Sequence, residues 1–214
     1  MCYDVRKMFE RKSIFSKNGK WKKLSVQLLT PRRYCVAVAV GKYIFVIGGN
    51  DDKENGLLTV EVLDTERETI QMGPSMNFTR YCFTACVVDD TIWVVGGSGN
   101  DRKGVESLRV DLSNEFVKES WQRIEEKTKE ERWGHSMVAI GSYLIVMGGD
   151  DTDSCEMFDT RNEIWSMLPN KLNKKRFKAA AVALRDKTVL CIGGSGYKSV
   201  ESLEFELDRQ TIDG

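Results

Sequence analysis

A doubled glycine recurs four times along the chain, and it constrains the fold more than any other feature of the sequence. The pairs begin at Gly48, Gly96, Gly148 and Gly193, which gives spacings of 48, 52 and 45 residues. A hydrophobic run precedes each pair, in the order YIFVIGG, TIWVVGG, YLIVMGG and TVLCIGG. A period of about 50 residues is typical of architectures in which one supersecondary unit is copied along the chain. The sequence therefore predicts four copies of one unit.

Each copy is predicted to contain four short antiparallel strands, which we name a to d in chain order. An arginine followed by an aromatic residue precedes strand a, and a short turn typical of a hairpin joins strand a to strand b. Strand b ends at the glycine pair, strand c carries an acidic residue, and strand d begins at a tryptophan or its replacement. The arginine-aromatic pairs are Arg33-Tyr34, Arg80-Tyr81, Arg132-Trp133 and Arg176-Phe177.

The segment VVGGSGNDRKG at 94–104 raises the question of a phosphate-binding loop. Neither GGSGNDRKG nor the later GGSGYKS has the spacing of a P-loop or of a dinucleotide-binding loop, and no strong helical pattern follows either one. Glycine is instead expected where a strand exit needs positive φ or close packing. We therefore predict a structural role for all eight glycines: Gly48, Gly49, Gly96, Gly97, Gly148, Gly149, Gly193 and Gly194.

Together these motifs resemble the kelch repeat over residues 30–212, nearly the whole chain. The matching parts are the glycine pair, the acidic residue of strand c, the Leu63-Asp64 and Phe158-Asp159 pairs, and the tryptophan that opens strand d. The tryptophans assigned to this position are Trp21, Trp121 and Trp165, whereas Ile70 and Ile212 replace it elsewhere. The resemblance implies an all-β fold, a kelch-type β-propeller of about four four-stranded blades.

The resemblance divides the chain into an N-terminal segment at 1–29 and a propeller domain at 30–214. The repeats are expected at approximately 30–76, 77–128, 129–172 and 173–214. The fourth strand d would begin at Ile212, whereas Trp21–Leu24 resembles an isolated strand d. That segment either closes a small ring or belongs to a preceding blade of a larger, incomplete ring, and the usual size of kelch-type rings favours the second alternative. An open ring would expose two blade faces and favour self-association.

In this topology the d–a loops and the b–c loops lie on one face of the propeller, which we call the loop face. The b–c loops differ between repeats while the frame recurs, as expected of a recognition surface on a rigid scaffold. We predict contacts with a protein or peptide at Arg33, Tyr34, Arg80, Tyr81, Arg132, Trp133, Arg176, Phe177, Asn50, Asn100, Asp150 and Tyr197. The arginines either bind acidic side chains of the partner or cap their own blades.

The composition excludes several classes of function. The chain has 32 Lys and Arg and 32 Asp and Glu, so it lacks the positive charge expected of a nucleic-acid-binding protein. No apolar run approaches the length of about 18 residues that a membrane span needs. The six cysteines form no C-x-x-C pair and no secretion signal is visible, so we expect reduced thiols in the cytoplasm or the nucleus.

The sequence offers little for catalysis or metal binding. His135 is the one histidine, so neither a multi-histidine metal site nor a second catalytic histidine is available. The acidic cluster Asp150, Asp151, Asp153 and Glu156 lacks the spacing of a calcium loop. We therefore predict no catalytic residue, metal or cofactor, and a non-catalytic protein-interaction module; the resemblance implies a substrate-recruiting or cytoskeletal adaptor. The alternative is a kelch-type propeller enzyme that acts on a small molecule in the central channel.

Overall fold

The structure, a computed structural model, describes residues 23–113, 119–184 and 187–205. These ranges contain seventeen β-strands and no helix, so the described part of the chain is all-β, as predicted. Within the same ranges there is no helix of the length and hydropathy needed to cross a membrane.

Fifteen of the seventeen strands form four antiparallel sheets that we number as blades 1 to 4, and the other two strands form a short separate pair. Blade 1 contains β1 (Val36–Val40), β2 (Tyr43–Ile47), β3 (Val60–Asp64) and β4 (Thr69–Met72). The region of blade 2 contains β5 (Arg80–Tyr81), β6 (Thr84–Val88), β7 (Thr91–Val95), β8 (Ser98–Gly99), β9 (Val105–Arg109) and β10 (Gln122–Ile124). Blade 3 contains β11 (Ser136–Ile140), β12 (Tyr143–Met147), β13 (Cys155–Asp159) and β14 (Ile164–Met167), and blade 4 contains β15 (Ala180–Leu184), β16 (Thr188–Ile192) and β17 (Val200–Glu204).

Blades 1 to 3 each have the predicted strand order a, b, c, d, with every neighbouring pair antiparallel. In blade 2, β5 and β8 lie outside the main sheet and pair with each other at the loop face. Blade 4 shows strands a, b and c within the described ranges, and its predicted strand d at Ile212 lies outside them. Trp21 also lies outside the described residues, and Lys23 and Leu24 form no strand.

The blades are arranged radially, because each strand a contacts the strand a of the next blade. β1 contacts β6, β6 contacts β11, and β11 contacts β15. Successive side chains of a strand point to opposite faces of its sheet, so each blade has a first face toward the preceding blade and a second face toward the next. This stacking of four β-sheets about a common axis is the arrangement of a kelch β-propeller.

Three apolar cores lie between consecutive blades rather than within one sheet. Between blades 1 and 2, Phe45 and Ile47 of the second face pack with Ile92, Val94 and Leu108 of the next first face. The other two cores repeat this pattern at the junctions of blades 2 and 3 and of blades 3 and 4. The a and b strands of blades 2 and 3 are apolar on both faces because these two sheets are covered on both sides.

The tryptophans that open strand d contribute to these cores. Trp165 lies opposite Phe158 in the pairing of β13 with β14, and the two rings are 4.9 Å apart. Ile70 lies opposite Leu63 at the same place in blade 1. Trp121 and Trp165 are buried, whereas Ile70 is only partly buried. The replacement of tryptophan by isoleucine therefore keeps the position of the side chain but fills less of the blade.

Candidate functional site

The loop face is built on a backbone frame that recurs in all four blades. In each blade, one residue of the d–a loop (Arg33, Tyr81, Trp133 or Phe177) is held against the residue that follows the glycine pair. Asn50 N donates to Arg33 O at 2.8 Å, β5 pairs with β8 in blade 2, Asp150 N donates to Trp133 O at 3.0 Å, and Ser195 N donates to Phe177 O at 2.8 Å. These bonds fix the d–a loop and the b–c loop of each blade side by side, as predicted from topology.

Both glycines of each pair have positive φ, as the structural interpretation requires. The φ values are 57° and 94° at Gly48 and Gly49, and 61° and 96° at Gly96 and Gly97. The pairs at 148–149 and 193–194 have the same conformation. A side chain at Gly96 would also lie 2.6 Å from the Arg132 carbonyl oxygen of the next blade. The glycine pairs therefore have a structural role, because they let the backbone turn at the end of strand b and let the next blade approach closely.

The arginines of blades 2 to 4 cap their own blades. Arg132 is fully buried; its Nη1 donates to Gly148 O at 2.7 Å, and its Nε donates to the carboxylate of Glu156 at 2.9 Å. Arg80 makes the same pair of contacts with Gly96 O and Glu106. We call each arginine, with its strand-c glutamate and the glycine carbonyl, an arginine clamp.

Blade 4 has an equivalent clamp. Arg176 donates to the carbonyl of Gly193 and, at 2.7 Å, to the carboxylate of Glu201. Burial alone would raise the pKa of Glu201, but hydrogen bonds from Asn173 and from Arg176 outweigh it and lower the pKa. Because Arg80, Arg132 and Arg176 are at most 1% exposed, their guanidinium groups serve as clamps and do not form an exposed ring of donors on the loop face.

In blade 1 the clamp is made by Arg32, and the prediction of Arg33 from the arginine-aromatic motif was wrong by one residue. Arg32 Nη1 donates to Gly48 O at 2.9 Å, and Arg32 Nη2 contacts Glu61 at 2.5 Å. Arg33 instead points to solvent and pairs with the exposed Glu54 at 2.7 Å. Arg33 therefore corresponds to Tyr81, Trp133 and Phe177, the residues that directly follow the clamp arginine.

The second residue after each clamp arginine lies nearest the propeller axis. These residues are Tyr34, Cys82, Gly134 and Lys178, and all have left-handed backbone, with φ of 56°, 52°, 61° and 54°. Cys82 N donates to Tyr34 O at 3.2 Å, and Gly134 N donates to Cys82 O at 2.7 Å. Lys178 N donates to Gly134 O at 2.7 Å. The chain of bonds links the four blades around the axis.

These four residues surround a cavity of about 290 Å³ at the axis, which we call the axis mouth. Its other lining residues are Cys35, Phe83, His135 and Ala179. Lys178 supplies the positive charge of the mouth; its Nζ lies 4.9 Å from the centre of the Tyr34 ring and 5.0 Å from that of Phe177. Trp133 packs edge-on against Phe177 with ring centres 4.8 Å apart. One side of the mouth is therefore aromatic and cationic.

The remaining predicted contact residues are distributed unevenly. Asn50 is buried and acts through its backbone, whereas Asn100 and Asp150 are exposed. Tyr197 is partly buried under Lys174, whose Nζ lies 5.1 Å from the ring centre. Asn100 lines a second cavity of about 430 Å³ between the b–c loop of blade 2 and the following d–a loop. Sequence reasoning missed Lys178, because the structure is needed to show that the second residue after the clamp arginine lines the axis mouth.

His135 lies at the junction of blades 2 and 3 and is structural in its contacts. Its Nε2 lies 2.7 Å from the Thr84 hydroxyl oxygen. Burial lowers the pKa of His135 to about 3, with further contributions from the charges of Arg132 and Arg80. The imidazole is therefore neutral at ordinary pH, which suits a core position between blades.

The thiols and carboxylates offer little reactive chemistry in the described ranges. Burial raises the pKa of the Cys155 thiol to about 11 and also raises the pKa of Cys82. Cys2 lies outside these ranges. Glu156 is bound by Arg132 and Asp151 by Lys175, so the acidic run at 150–156 does not converge on one point. No three His, Cys, Asp or Glu side chains in the described segments are placed to share a metal ion.

Comparison with known proteins agrees with this architecture. The family profile described as the KLHDC2/KLHL20/DRC7 Kelch-repeats domain matches residues 12–194. The chain belongs to the kelch-repeat family. It is similar to Kelch-like protein 35 of Mus musculus, with 31% identity over 80% of this chain and 29% of that protein. It is also similar to Kelch-like protein 38 of Danio rerio, with 27% identity over 60% of this chain and 22% of that protein.

A third relative is Kelch domain-containing protein 3 of Rattus norvegicus, with 25% identity over 69% of this chain and 44% of that protein. The kelch chain thus spans less than half the length of these relatives. Membership of the family supports a protein-interaction domain, since kelch repeats are generally non-catalytic interaction modules.

Proposed function

We propose that this kelch domain binds a protein or peptide on its loop face, with the axis mouth at the centre of the contact. The observation that carries this proposal is that neighbouring residues of each loop have different roles, one structural and one at the surface. The clamp arginine and the glycine pair recur in every blade, whereas the residue that follows the arginine differs and reaches the surface. That variable set is Arg33, Tyr81, Trp133 and Phe177. Arg33 is exposed and Tyr81, Trp133 and Phe177 are partly exposed, so a constant frame carries variable side chains that a partner can reach, as a recognition surface requires.

The chemistry of the axis mouth favours a ligand with an acidic side chain beside an apolar one. Lys178 supplies a flexible ammonium group, and the rings of Tyr34, Trp133 and Phe177 supply apolar area at low cost in side-chain entropy. Arg33 adds a second cation, and its exposed pairing with Glu54 is weak enough to exchange for a ligand carboxylate. Aromatic residues and arginine are also the types most often found at the energetic centre of interfaces.

A peptide library tests the proposal directly. Wild-type protein is screened against arrayed peptides, and the best sequence is titrated by fluorescence anisotropy against Trp133→Ala and Lys178→Glu. We expect enrichment of Asp or Glu next to an aromatic or aliphatic residue, and at least about a tenfold loss of affinity for each variant, which corresponds to about 1.4 kcal/mol. Lys187→Glu is the matched control, because Lys187 is exposed on the a–b turn of blade 4 at the opposite face.

The thermal unfolding of each variant is compared with that of the wild type, so that a folding defect is recognised. If the selected peptides bind the two loop-face variants as tightly as the wild type, or lose affinity equally in Lys187→Glu, the loop face is not the binding site.

We further propose that the domain is non-catalytic and acts as a substrate-recruiting or cytoskeletal adaptor. The polar groups near the axis support the first part, since His135 is neutral and bonded to Thr84 and burial raises the pKa of Cys82. The adaptor role is supported by the position of the variable residues on the loop face alone, which leaves the opposite face of the propeller for other domains. Co-sedimentation with filamentous actin separates the two adaptor roles: binding indicates a cytoskeletal role, and its absence in a domain that still binds its selected peptide favours recruitment.

A further inference from the structure

Blade 1 and blade 4 each have one face that no other blade covers within the described residues. On the second face of blade 4, apolar side chains are exposed at Val182, Leu184, Ile192 and Val200. On the first face of blade 1, Ala37 and Ala39 are exposed, and Ile44, Val46, Leu63 and Ile70 are only partly buried. At the three internal junctions the same two kinds of face pack against each other.

We propose that a second copy of this chain docks at these ends, so that blade 4 of each copy packs against blade 1 of the other. The two end faces carry the apolar positions that meet inside the chain. Leu184 is the counterpart of Ile140, and Val46 is the counterpart of Val94. Ile140 and Val94 are both buried between blades. The apolar residues of each open face therefore match those that pack against the opposite kind of face at the internal junctions.

Backbone groups at the two ends form complementary sets. At each internal junction the second glycine donates its N–H to the carbonyl of the next clamp arginine: Gly49 to Arg80 at 2.8 Å, Gly97 to Arg132 at 2.8 Å, and Gly149 to Arg176 at 3.0 Å. At the open end of blade 4, Gly194 N–H has no acceptor among the described residues. At the open end of blade 1, the carbonyl of Arg32 has no donor among them. The next bond of the series would join Gly194 to Arg32 of the second copy.

The backbone hydrogen bonds around the axis also favour packing of blade 4 of one copy against blade 1 of the other. Each axis residue donates its N–H to the carbonyl of the preceding axis residue, which leaves Tyr34 N–H and the carbonyl of Lys178 as the two ends of the series in the described residues. Tyr34 of a second copy would donate to Lys178. One docking arrangement therefore satisfies both backbone pairs at each junction, and buried unpaired backbone groups are costly.

The space around the first glycine of each pair gives independent evidence. A Cβ atom added at Gly48, Gly96 or Gly148 would lie 2.6–2.8 Å from the arginine carbonyl oxygen of the next blade. At Gly193 the nearest atom, the carbonyl oxygen of Tyr197, is 3.7 Å away. Gly193 has a φ of 66°, close to the 61° of Gly96. The loop thus keeps the shape that admits an arginine carbonyl, although no described blade supplies one.

A head-to-tail contact of this kind either closes into a ring or continues into a filament. Two copies with four sheets each would form about eight blades, which lies within the range of about 4–8 known for propellers. With a net charge of zero, the two copies would not repel each other. Both pairs of open faces would then be buried in one two-fold ring.

Analytical ultracentrifugation of the full chain over a concentration series tests this inference, and it needs no ligand. We expect the mass of two copies for the wild type, and for Leu184→Asp at least about a 30-fold rise in the dimer dissociation constant, as for a central interface residue. Ile164→Asp is the matched control, because Ile164 is an equally exposed apolar residue on strand d of blade 3. It is expected to leave the dimer intact.

A second pair of variants examines the glycine loop. Gly193→Ala adds a methyl group where the second copy's arginine carbonyl would lie, and we expect weaker dimerisation. Gly196→Ala is the control, since Gly196 also has positive φ and no atom within 4 Å of an added Cβ. A monomer at every concentration would overturn the proposal and favour a covering blade from the same chain. Open oligomers of more than two copies, or a dimer that persists in both Leu184→Asp and Gly193→Ala, would overturn it as well.

Discussion

Blades 3 and 4 share one repeat pattern but differ in how much of the second face is covered. Ile140 of blade 3 is 4% exposed and its counterpart Leu184 is 47% exposed; Cys155 is 2% exposed and its counterpart Val200 is 56% exposed. The residue types are equally apolar, so the difference lies in the neighbouring blade. The sequence of a repeat sets which side chains can be buried, and the next repeat decides whether they are.

The polar loop face behaves differently from the apolar faces. The Arg132–Glu156 pair and the Arg176–Glu201 pair have almost the same geometry, and the side chain of Glu201 is only 12% exposed. Each arginine clamp draws all its partners from its own blade. A blade therefore forms its arginine clamp from its own residues, whereas its core and the hydrogen bonds around the axis need a neighbouring blade.

The largest expected effect is the loss of an internal clamp. Arg132→Met should lower the free energy of unfolding by about 3–5 kcal/mol, because it leaves the buried Glu156 carboxylate without its cation. Arg176→Met should cost less, since Glu201 retains some contact with water. Urea unfolding measures both. Arg33→Met is the control and should change stability by no more than about 0.5 kcal/mol. Equal losses for Arg132 and Arg176 would mean that the neighbouring blade does not affect the clamp.

Truncation of matched apolar residues compares the two faces directly. Ile140→Ala should cost about 2–5 kcal/mol, because it leaves a cavity between blades 3 and 4. Leu184→Ala should cost much less in dilute monomer, about 0.5–1 kcal/mol, because Leu184 is already 47% exposed there. Urea unfolding at low protein concentration gives both values. A large loss for Leu184→Ala in the monomer would show that blade 4 is covered.

Much of this fold could be predicted from the sequence because propeller repeats are local. The glycine pairs, the strand order and the tryptophans Trp121 and Trp165 depend on residues within one repeat, and the pattern recurs often enough to align. Arg32 was missed because Arg33 stands beside it and is followed by an aromatic residue, Tyr34, as the arginines of the other repeats are. The spacing to the glycine pair favours Arg32, which lies 16 residues before Gly48, as Arg80 does before Gly96 and Arg132 before Gly148.

The candidate site was less predictable than the fold. An arginine that recurs on a loop face suits a partner carboxylate as well as a carbonyl of its own loop, and only burial separates the two roles. The basic run KLNKKRFK indicated positive charge, but the choice of Lys178 as the lysine of the axis mouth depends on where each backbone turns. Contacts between repeats are set by geometry that one repeat does not encode.

A pair of glycine variants separates backbone strain from contact with the next blade. Gly96 and Gly193 have φ of 61° and 66°, so alanine should cost about 1–2 kcal/mol at either position from the left-handed conformation alone. At Gly96 the added Cβ would also lie 2.6 Å from the Arg132 carbonyl oxygen, whereas at Gly193 the nearest atom is 3.7 Å away. Thermal unfolding should therefore show a larger loss for Gly96→Ala. Similar losses would mean that the junction relaxes freely.

The pH dependence of stability distinguishes one junction from the other two. His135 lies between blades 2 and 3, where its counterparts at the flanking junctions are Phe83 and Ala179, which do not titrate. Its pKa is about 3 in the folded protein against 6.5 for the free side chain. Below pH 6.5 the unfolded chain takes up a proton that the folded chain does not, so folding becomes less favourable as the pH falls.

Protonation of His135 in the unfolded chain should lower the free energy of unfolding by at most about 1.4 kcal/mol for each pH unit below 6.5. The lowered pKa values of Asp64, Asp159 and Glu201 also reduce stability in acid, but only as the pH falls through the ordinary carboxyl values of 3.8 and 4.5. Urea unfolding between pH 7 and pH 5 therefore isolates the histidine. His135→Gln should show a flatter pH dependence than the wild type in this window, since the chain has no other histidine. Parallel curves for the two proteins would mean that His135 can be protonated without opening the junction between blades 2 and 3.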